Sequence, residues 1–153
     1  MNGLELKVPP PVVALVLALA MWAISRFSVA LEVDVSLRTA LALAIGLVGG
    51  AFSVAGVAAF RQARTTLNPM QPDEASALVT TGIYRITRNP MYVGLLLVLL
   101  GWAAFLCAPW VLVGPVVFVL YMNRFQIAPE ERVLLSLFGE RYSTYQAKVR
   151  RWL

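Results

Sequence analysis

From Thr39 to Phe60 the chain runs for 22 residues without a charged side chain. A run of this kind reads as a transmembrane helix, because crossing the hydrocarbon core takes about 20 apolar residues. The rest of the chain offers little polar cover: 14% of its residues are charged, against roughly 25% in ordinary soluble proteins. Hydrophobic residues make up 59%, and mean hydropathy is +0.74. The expected fold class is therefore all-α integral membrane. A length of 153 residues fits a single domain with a few crossings and short polar segments, and leaves no room for a separate soluble catalytic domain.

Three further apolar stretches flank the central run. The first, Val12 to Ile24, follows Pro9, Pro10 and Pro11 and leads through Arg26 into a second apolar patch, giving an expected span over 12–29. A signal peptide is the competing reading of a short apolar run, with a basic start and a small-residue cleavage site. Lys7 is offset by Glu5 and the cleavage pattern is unconvincing, so a retained helix is expected. Within the 39–60 span, Gly46, Gly50 and Ser53, with Gly49 and Gly56 alongside, form a stripe of small residues that lets helices pack closely in lipid. The last two stretches, 91–107 and 109–123, are separated only by an uncharged connection around Pro109, which predicts a tight helical hairpin.

Between the second and third spans lies a polar segment, 61–90, punctuated by Asn68-Pro69, Gln71-Pro72, Thr80-Thr81-Gly82 and Asn89-Pro90. Connections longer than about 12 to 15 residues are usually functional or disordered, and Leu67, Leu78, Val79, Ile83 and Tyr84 argue against disorder. After the hairpin, Pro129-Glu130-Glu131 resembles a helix start, with proline in the first turn and carboxylates at the positive end of the helix dipole. Leu134, Leu137, Phe138, Tyr142, Tyr145, Val149 and Trp152 then recur at steps of three and four, so 129–153 reads as an amphipathic interfacial helix region that Gly139 could bend.

Arginine and lysine distribution orients the chain. Arg61, Arg64, Arg85 and Arg88 lie in the polar segment, and Arg124, Arg132, Arg141, Lys148, Arg150 and Arg151 in the tail, so both are expected on the cytoplasmic side. Arg26 and Arg38 are balanced by Glu32 and Asp34, which suits the opposite side. About four transmembrane helices with both termini inside satisfy these counts, in a bacterial inner membrane. The net charge of +5 then reflects membrane orientation and anionic headgroups, with no nucleic-acid partner expected.

Histidine is absent, and Cys107 is the single cysteine. No metal is expected, and any chemistry must run without imidazole. The polar candidates are the Gly82 to Gly94 segment, Arg124, Glu130, Glu131 and the tail tyrosines. Each has a plain alternative. Arginines anchor helix ends at the interface, Tyr84 and Tyr92 suit an aromatic belt, and the glutamates suit a helix dipole. Asn89-Pro90 suits a helix start. None of these explains why so many candidates fall on two segments joined by one hairpin.

The run LVTTGIYRITRNPMYVG, followed after the hairpin by EERVLLSLFGERYSTYQAKVRRWL, resembles the membrane superfamily of isoprenylcysteine carboxyl methyltransferases and phospholipid methyltransferases. The resemblance covers roughly Thr65 to Leu153. It implies an S-adenosylmethionine site on the cytoplasmic side, with backbone groups of Leu78, Val79, Thr80 and Gly82 lining the cofactor beside Tyr84. It further implies that Arg88, Asn89, Pro90 and Tyr92 shape the pocket, and that Glu130 and Glu131 hold the cofactor's charged end. Prenylcysteine enzymes usually carry histidine where this chain has Asn89; asparagine looks closer to bacterial and phospholipid-type members. The glycine-rich motif described for phospholipid enzymes is matched only in part, at Ala55-Gly56-Val57-Ala58.

Methyl transfer from a sulfonium asks the protein for position, orientation and exclusion of water, and needs no histidine. A carboxylate acceptor attacks already ionised, with Arg124 or Arg88 as orienting partner. An amine or thiol must lose a proton, and Glu130 or Glu131 is the nearest base. The acceptor is expected to be lipophilic and to enter from the bilayer. Phospholipid amine N-methylation is the alternative within the enzyme class; a non-catalytic scaffold or channel subunit is the alternative outside it.

Overall fold

The computed structural model describes residues 5–63 and 77–153. Part of the 61–90 segment, including Arg64, Leu67, Asn68-Pro69 and Gln71-Pro72, lies outside the described residues. The described chain is all-helical: α1 (Pro10–Phe27), α2 (Val35–Ala63), a 3₁₀ turn (Gly82–Arg85), α3 (Pro90–Leu106), a second 3₁₀ turn (Pro109–Leu112), α4 (Val113–Tyr121), a π-helical stretch (Met122–Ile127), α5 (Ala128–Phe138) and α6 (Glu140–Lys148). Among the described residues the sole β-type pairing is an isolated parallel bridge between Thr87 and Arg150.

Among the described residues three helical columns are long and apolar enough to cross a membrane: Pro10–Phe27, Val35–Ala63 and Pro109–Phe138. The outward faces of α1, α2 and α4 are apolar, with Leu15, Leu19, Leu43, Leu47, Val54 and Leu120 all exposed. α3 is shorter at 17 residues, about 26 Å at 1.5 Å per residue.

α3 is the central element, and α2 packs along it most closely. A Cβ added at Gly49 would stand 2.6 Å from the Gly94 carbonyl oxygen, and one at Gly56 would stand 2.8 Å from Met91. The contact stripe on α2 is thus Gly49, Ser53 and Gly56, whereas a Cβ at Gly50 would meet nothing within 4 Å. The small residues of the sequence pattern are used for close packing, but along a line turned toward Gly49. α1 packs on α3 and α4; Met21 fills the space over Gly114, and the Trp102 indole donates to the Ala18 carbonyl at 3.0 Å. The core between them holds Met21, Leu99, Val111, Phe118, Met122 and Ile127.

α3 ends at Cys107, which takes a left-handed conformation at φ 53° and donates its N–H to the Ala103 carbonyl at 3.0 Å. The chain then turns through Pro109–Leu112 into α4, so the third and fourth apolar stretches are joined as a hairpin. At its other end α4 does not stop. It passes through Met122–Ile127 and on into α5, with helical backbone angles at Ile127 and Ala128. Pro129 and Glu130-Glu131, which read in the sequence as a fresh helix start, lie inside this longer column, with the Ala128 N–H donating to the Asn123 carbonyl and Pro129 in the first turn of α5. Gly139, at φ 53°, ends α5 and redirects the chain into α6.

Candidate active site

The polar candidates of the sequence gather at the end of the bundle where α2 ends, α3 begins and the tail returns. Gly82, at φ 60°, opens the 3₁₀ turn that leads toward α3. Its Tyr84 is buried against Ala59 and Val79 and meets the Phe60 ring edge-on, with centroids 5.4 Å apart. Burial, then the charge of Glu130 and then Tyr145, pushes the Tyr84 phenol well above its ordinary range, so it stays neutral.

The Thr87-Arg88-Asn89 turn grips the C-terminal segment. The Thr87 hydroxyl donates to the Arg151 carbonyl at 3.2 Å, the Arg88 N–H to the Arg150 carbonyl at 2.9 Å, and the Asn89 amide to the Arg151 carbonyl at 2.8 Å. The Arg88 guanidinium reaches the carbonyls of Gln146 and Val149 at 2.7 and 2.9 Å. Asn89 precedes α3 but makes no capping bond with its side chain, which is turned to the tail instead. Pro90 holds the first position of α3 and is buried.

Glu131 closes this grip. Its carboxylate accepts from Arg88 Nη2 at 2.8 Å and from Arg151 Nε and Nη2 at 3.1 and 2.6 Å. Two guanidinium groups on one nearly buried carboxylate make it a cross-link between α5, the turn and the tail. Arg88 Nε is buried with no partner among the described residues.

Glu130 stands in a different setting. Half-buried, it accepts one hydrogen bond among the described residues, from the Tyr92 hydroxyl at 3.0 Å. Gln126, 1% exposed, hydrogen-bonds the same phenol. Gln126 lies in the π-helical stretch, and the widened turn there re-aims successive side chains, a geometry that recurs at functional sites. Tyr92, Gln126 and Glu130 form a linked set of one phenol, one amide and one carboxylate.

Arg124 is engaged elsewhere. It contacts Glu5 at 3.1 Å, and Arg132 holds the other oxygen of the same carboxylate at 2.8 Å. With the Leu6 N–H donating to the Phe125 carbonyl at 3.0 Å, this straps the segment before α1 onto the π-helical stretch.

Beside these contacts opens a cleft of about 740 Å³, lined by Leu78, Thr80, Arg85, Tyr145, Lys148 and Val149 among others. The backbone groups of Leu78 and Thr80 make no hydrogen bond to another described residue. Tyr145 donates to the Tyr84 carbonyl at 2.7 Å, and burial, eased by the nearby Arg88, pushes its phenol up to about 12. Tyr142 is likewise raised, by burial first and Glu131 second. Both remain neutral donors at physiological pH.

The structure thus brings Arg88, Asn89, Glu131, Tyr92 and Glu130 together, and puts Leu78, Val79, Thr80, Gly82 and Tyr84 beside them. It turns Arg124 to Glu5. The sequence reading does not single out Thr87, Gln126 or Arg151. Gln126 carries a faint signal, a lone amide between apolar residues; Arg151 carries none, because its partner is 20 positions away.

A family model described as phospholipid methyltransferase matches residues 37–141. A protein of Haemophilus influenzae described as uncharacterized is 49% identical over 63 residues, 41% of this chain and the whole of that protein. The methanethiol S-methyltransferase of Pseudomonas deceptionensis is 36% identical over 92 residues, 58% of this chain and 32% of that enzyme. Protein-S-isoprenylcysteine O-methyltransferase B of Arabidopsis thaliana is 34% identical over 88 residues, 56% of this chain and 43% of that enzyme. The chain therefore spans less than half the length of either of these two enzymes.

Proposed function

The chain belongs to the phospholipid methyltransferase family, and from that premise we propose that it is an integral membrane methyltransferase using S-adenosylmethionine on a lipophilic acceptor. In this reading α1, α2, α3 and the column from Pro109 make four crossings, with the candidate site and both termini on the cytoplasmic side and the α6 segment lying at the interface.

The observation that carries the proposal is convergence. A cleft of about 740 Å³, within the roughly 300–1,000 Å³ of small-molecule sites, is lined by Leu78, Thr80, Tyr145 and Val149, and the Val149 carbonyl is held by Arg88 of the clasp. The donor set fits the cofactor. Leu78 and Thr80 offer backbone groups without partners among the described residues to a purine edge, Arg88 Nε offers a buried donor to a carboxylate, and Glu130 offers a carboxylate to a cationic centre. When bound, S-adenosylmethionine would supply a methyl group already activated on a sulfonium, so the remaining work is positioning and exclusion of water.

The two glutamates take different parts. Glu131, held by two arginines, positions the tail that walls the cleft. Glu130, with one hydrogen bond, is the carboxylate able to accept a proton from an amine or thiol acceptor, and Tyr92 fixes its orientation. This favours an acceptor that must be deprotonated and gives phospholipid amine N-methylation weight beside an isoprenylcysteine-like carboxyl acceptor, for which Arg88, rather than the Glu5-bound Arg124, would orient the carboxylate.

Membranes carrying the overproduced chain, incubated with methyl-labelled cofactor and then extracted, test the reading. Label in the lipid fraction above a vector control is expected. Base-labile label identifies a carboxyl acceptor, and base-stable label on a headgroup amine identifies N-methylation. No label from folded protein, with both lipid and prenylcysteine acceptors added, would sink it.

A further inference from the structure

The opposite end of the bundle carries a second feature that the methyl-transfer site leaves unused. α1 and α2 both lie on α3 but pack little against each other, and between them runs a groove of about 570 Å³. Leu15 and Ala18 form one wall, Ala42 and Gly46 the other, and Val98 and Trp102 the floor. A Cβ at Gly46 would meet nothing within 4 Å, so the groove is open there.

The groove does not end in lipid. Trp102 also lines two adjoining hollows, one with Leu19 and Trp22, the other with Ser25, Arg26, Arg38 and Phe105. These hollows, which share Trp102 with the groove, reach a pair of guanidinium groups near the C-terminal end of α1 and the N-terminal end of α2. Arg38 Nε is buried without a hydrogen-bond partner among the described residues, and its guanidinium lies over the Phe105 ring, 5.8 Å from the centroid. Among the described residues no carboxylate pairs with either arginine; Asp34 accepts instead from the Ser36 and Leu37 N–H groups at 2.9 and 3.2 Å.

We propose that this end of the molecule binds one anionic phospholipid, its phosphate held between Arg26 and Arg38 and one acyl chain laid in the groove between α1 and α2. Guanidinium groups recognise phosphate oxygens through paired N–H donors, and basic pockets between membrane helices take anionic headgroups. Trp22 and Trp102 have the amphipathic rings suited to headgroup depth. Two guanidinium groups with no carboxylate bridged to them among the described residues favour a lipid of net negative charge over a zwitterion, whose own cation they would repel. The lipid supplies the packing that α1 and α2 do not give each other. This inference needs only membrane insertion and stands apart from the methyl-transfer reading.

The full chain, reconstituted in nanodiscs of equal phosphatidylglycerol and phosphatidylcholine and released for native mass spectrometry, should retain one phosphatidylglycerol about tenfold over phosphatidylcholine. The Arg26→Gln/Arg38→Gln double variant should lose that preference. Gly46→Leu, which fills the groove with both arginines intact, should lose the retained lipid. Arg61→Gln, at the other end of α2, should behave as wild type. Equal retention of both lipids by wild-type protein would overturn the proposal. So would an equal fall in Arg61→Gln, which would mean general interfacial anchoring, or full displacement of the lipid by millimolar inorganic phosphate, which would mean a site for the free anion.

Discussion

At the end where α3 begins, the chain is tied to itself. Arg88, Asn89 and Thr87 hold the tail through its carbonyls, Glu131 binds two arginines, and Glu5 binds two more. At the end where α3 finishes, Arg26 and Arg38 have no carboxylate partner among the described residues, and the link between α1 and α2 is fastened to the hairpin by the Leu31 N–H on the Cys107 carbonyl at 2.8 Å. The same residue type does opposite things at the two ends. Where arginines face backbone carbonyls and buried carboxylates, they fix the tail and the segment before α1 onto the bundle. Where they face an open apolar groove, they remain available to the surroundings.

The difference predicts an ordered set of losses. The largest should follow Glu131→Ala, which leaves Arg88 and Arg151 without their anion; removing one partner of a mostly buried pair costs about 3 kcal/mol. Thermal unfolding in detergent should show it, and hydrogen exchange at Gln146 to Trp152 should rise. A tail as protected as in wild type would mean the clasp does not hold it. Next comes Glu130→Gln, with the fold intact and affinity for the cofactor or its demethylated product lowered about tenfold, worth about 1.4 kcal/mol. Tyr92→Phe should act in the same direction by a smaller factor, since it frees Glu130 without removing its charge.

Tyr145→Phe should cost about 1 kcal/mol through the lost hydrogen bond to the Tyr84 carbonyl. Because the folded phenol is raised from 10.0 to about 12, its contribution is complete below pH 10 and is lost as pH climbs toward 12. Absorbance titration should find a tyrosinate ionising near pH 12 in folded wild type and missing in the variant. The smallest effect belongs to the far end: Arg26→Gln should shift stability in lipid-free detergent by no more than about 0.5 kcal/mol. A loss as large as that of Glu131→Ala would erase the contrast between the ends.

Much of the fold was legible because the membrane makes it so: long uncharged runs and the short Pro109 connection leave few arrangements, and the all-helical bundle with its hairpin follows. The gathering of Arg88, Asn89, Tyr92, Glu130 and Glu131 was also legible, since a hairpin returns the chain to the side it left. Their individual partners were not. Asn89 before Pro90 has the spacing of a cap, yet its amide is turned to a carbonyl 62 positions away. Glu130 and Glu131 are neighbours in sequence but differ by one helical step, which sends one to Tyr92 and the other between two arginines. Local periodicity carries no information on which distant carbonyl or guanidinium meets each face. The π-helical stretch escaped for a related reason: Pro129 and two glutamates are a good local start signal, and only the packed column reveals that the helix had not ended.

Isothermal titration of the demethylated cofactor product, S-adenosylhomocysteine, into folded full-length chain in detergent tests the central claim most directly. Saturable one-to-one binding, weakened about tenfold by Glu130→Gln and unchanged by Arg26→Gln, is the predicted result. No binding to protein that melts cooperatively, or equal weakening by both substitutions, would contradict a cofactor site at the tied end of the bundle.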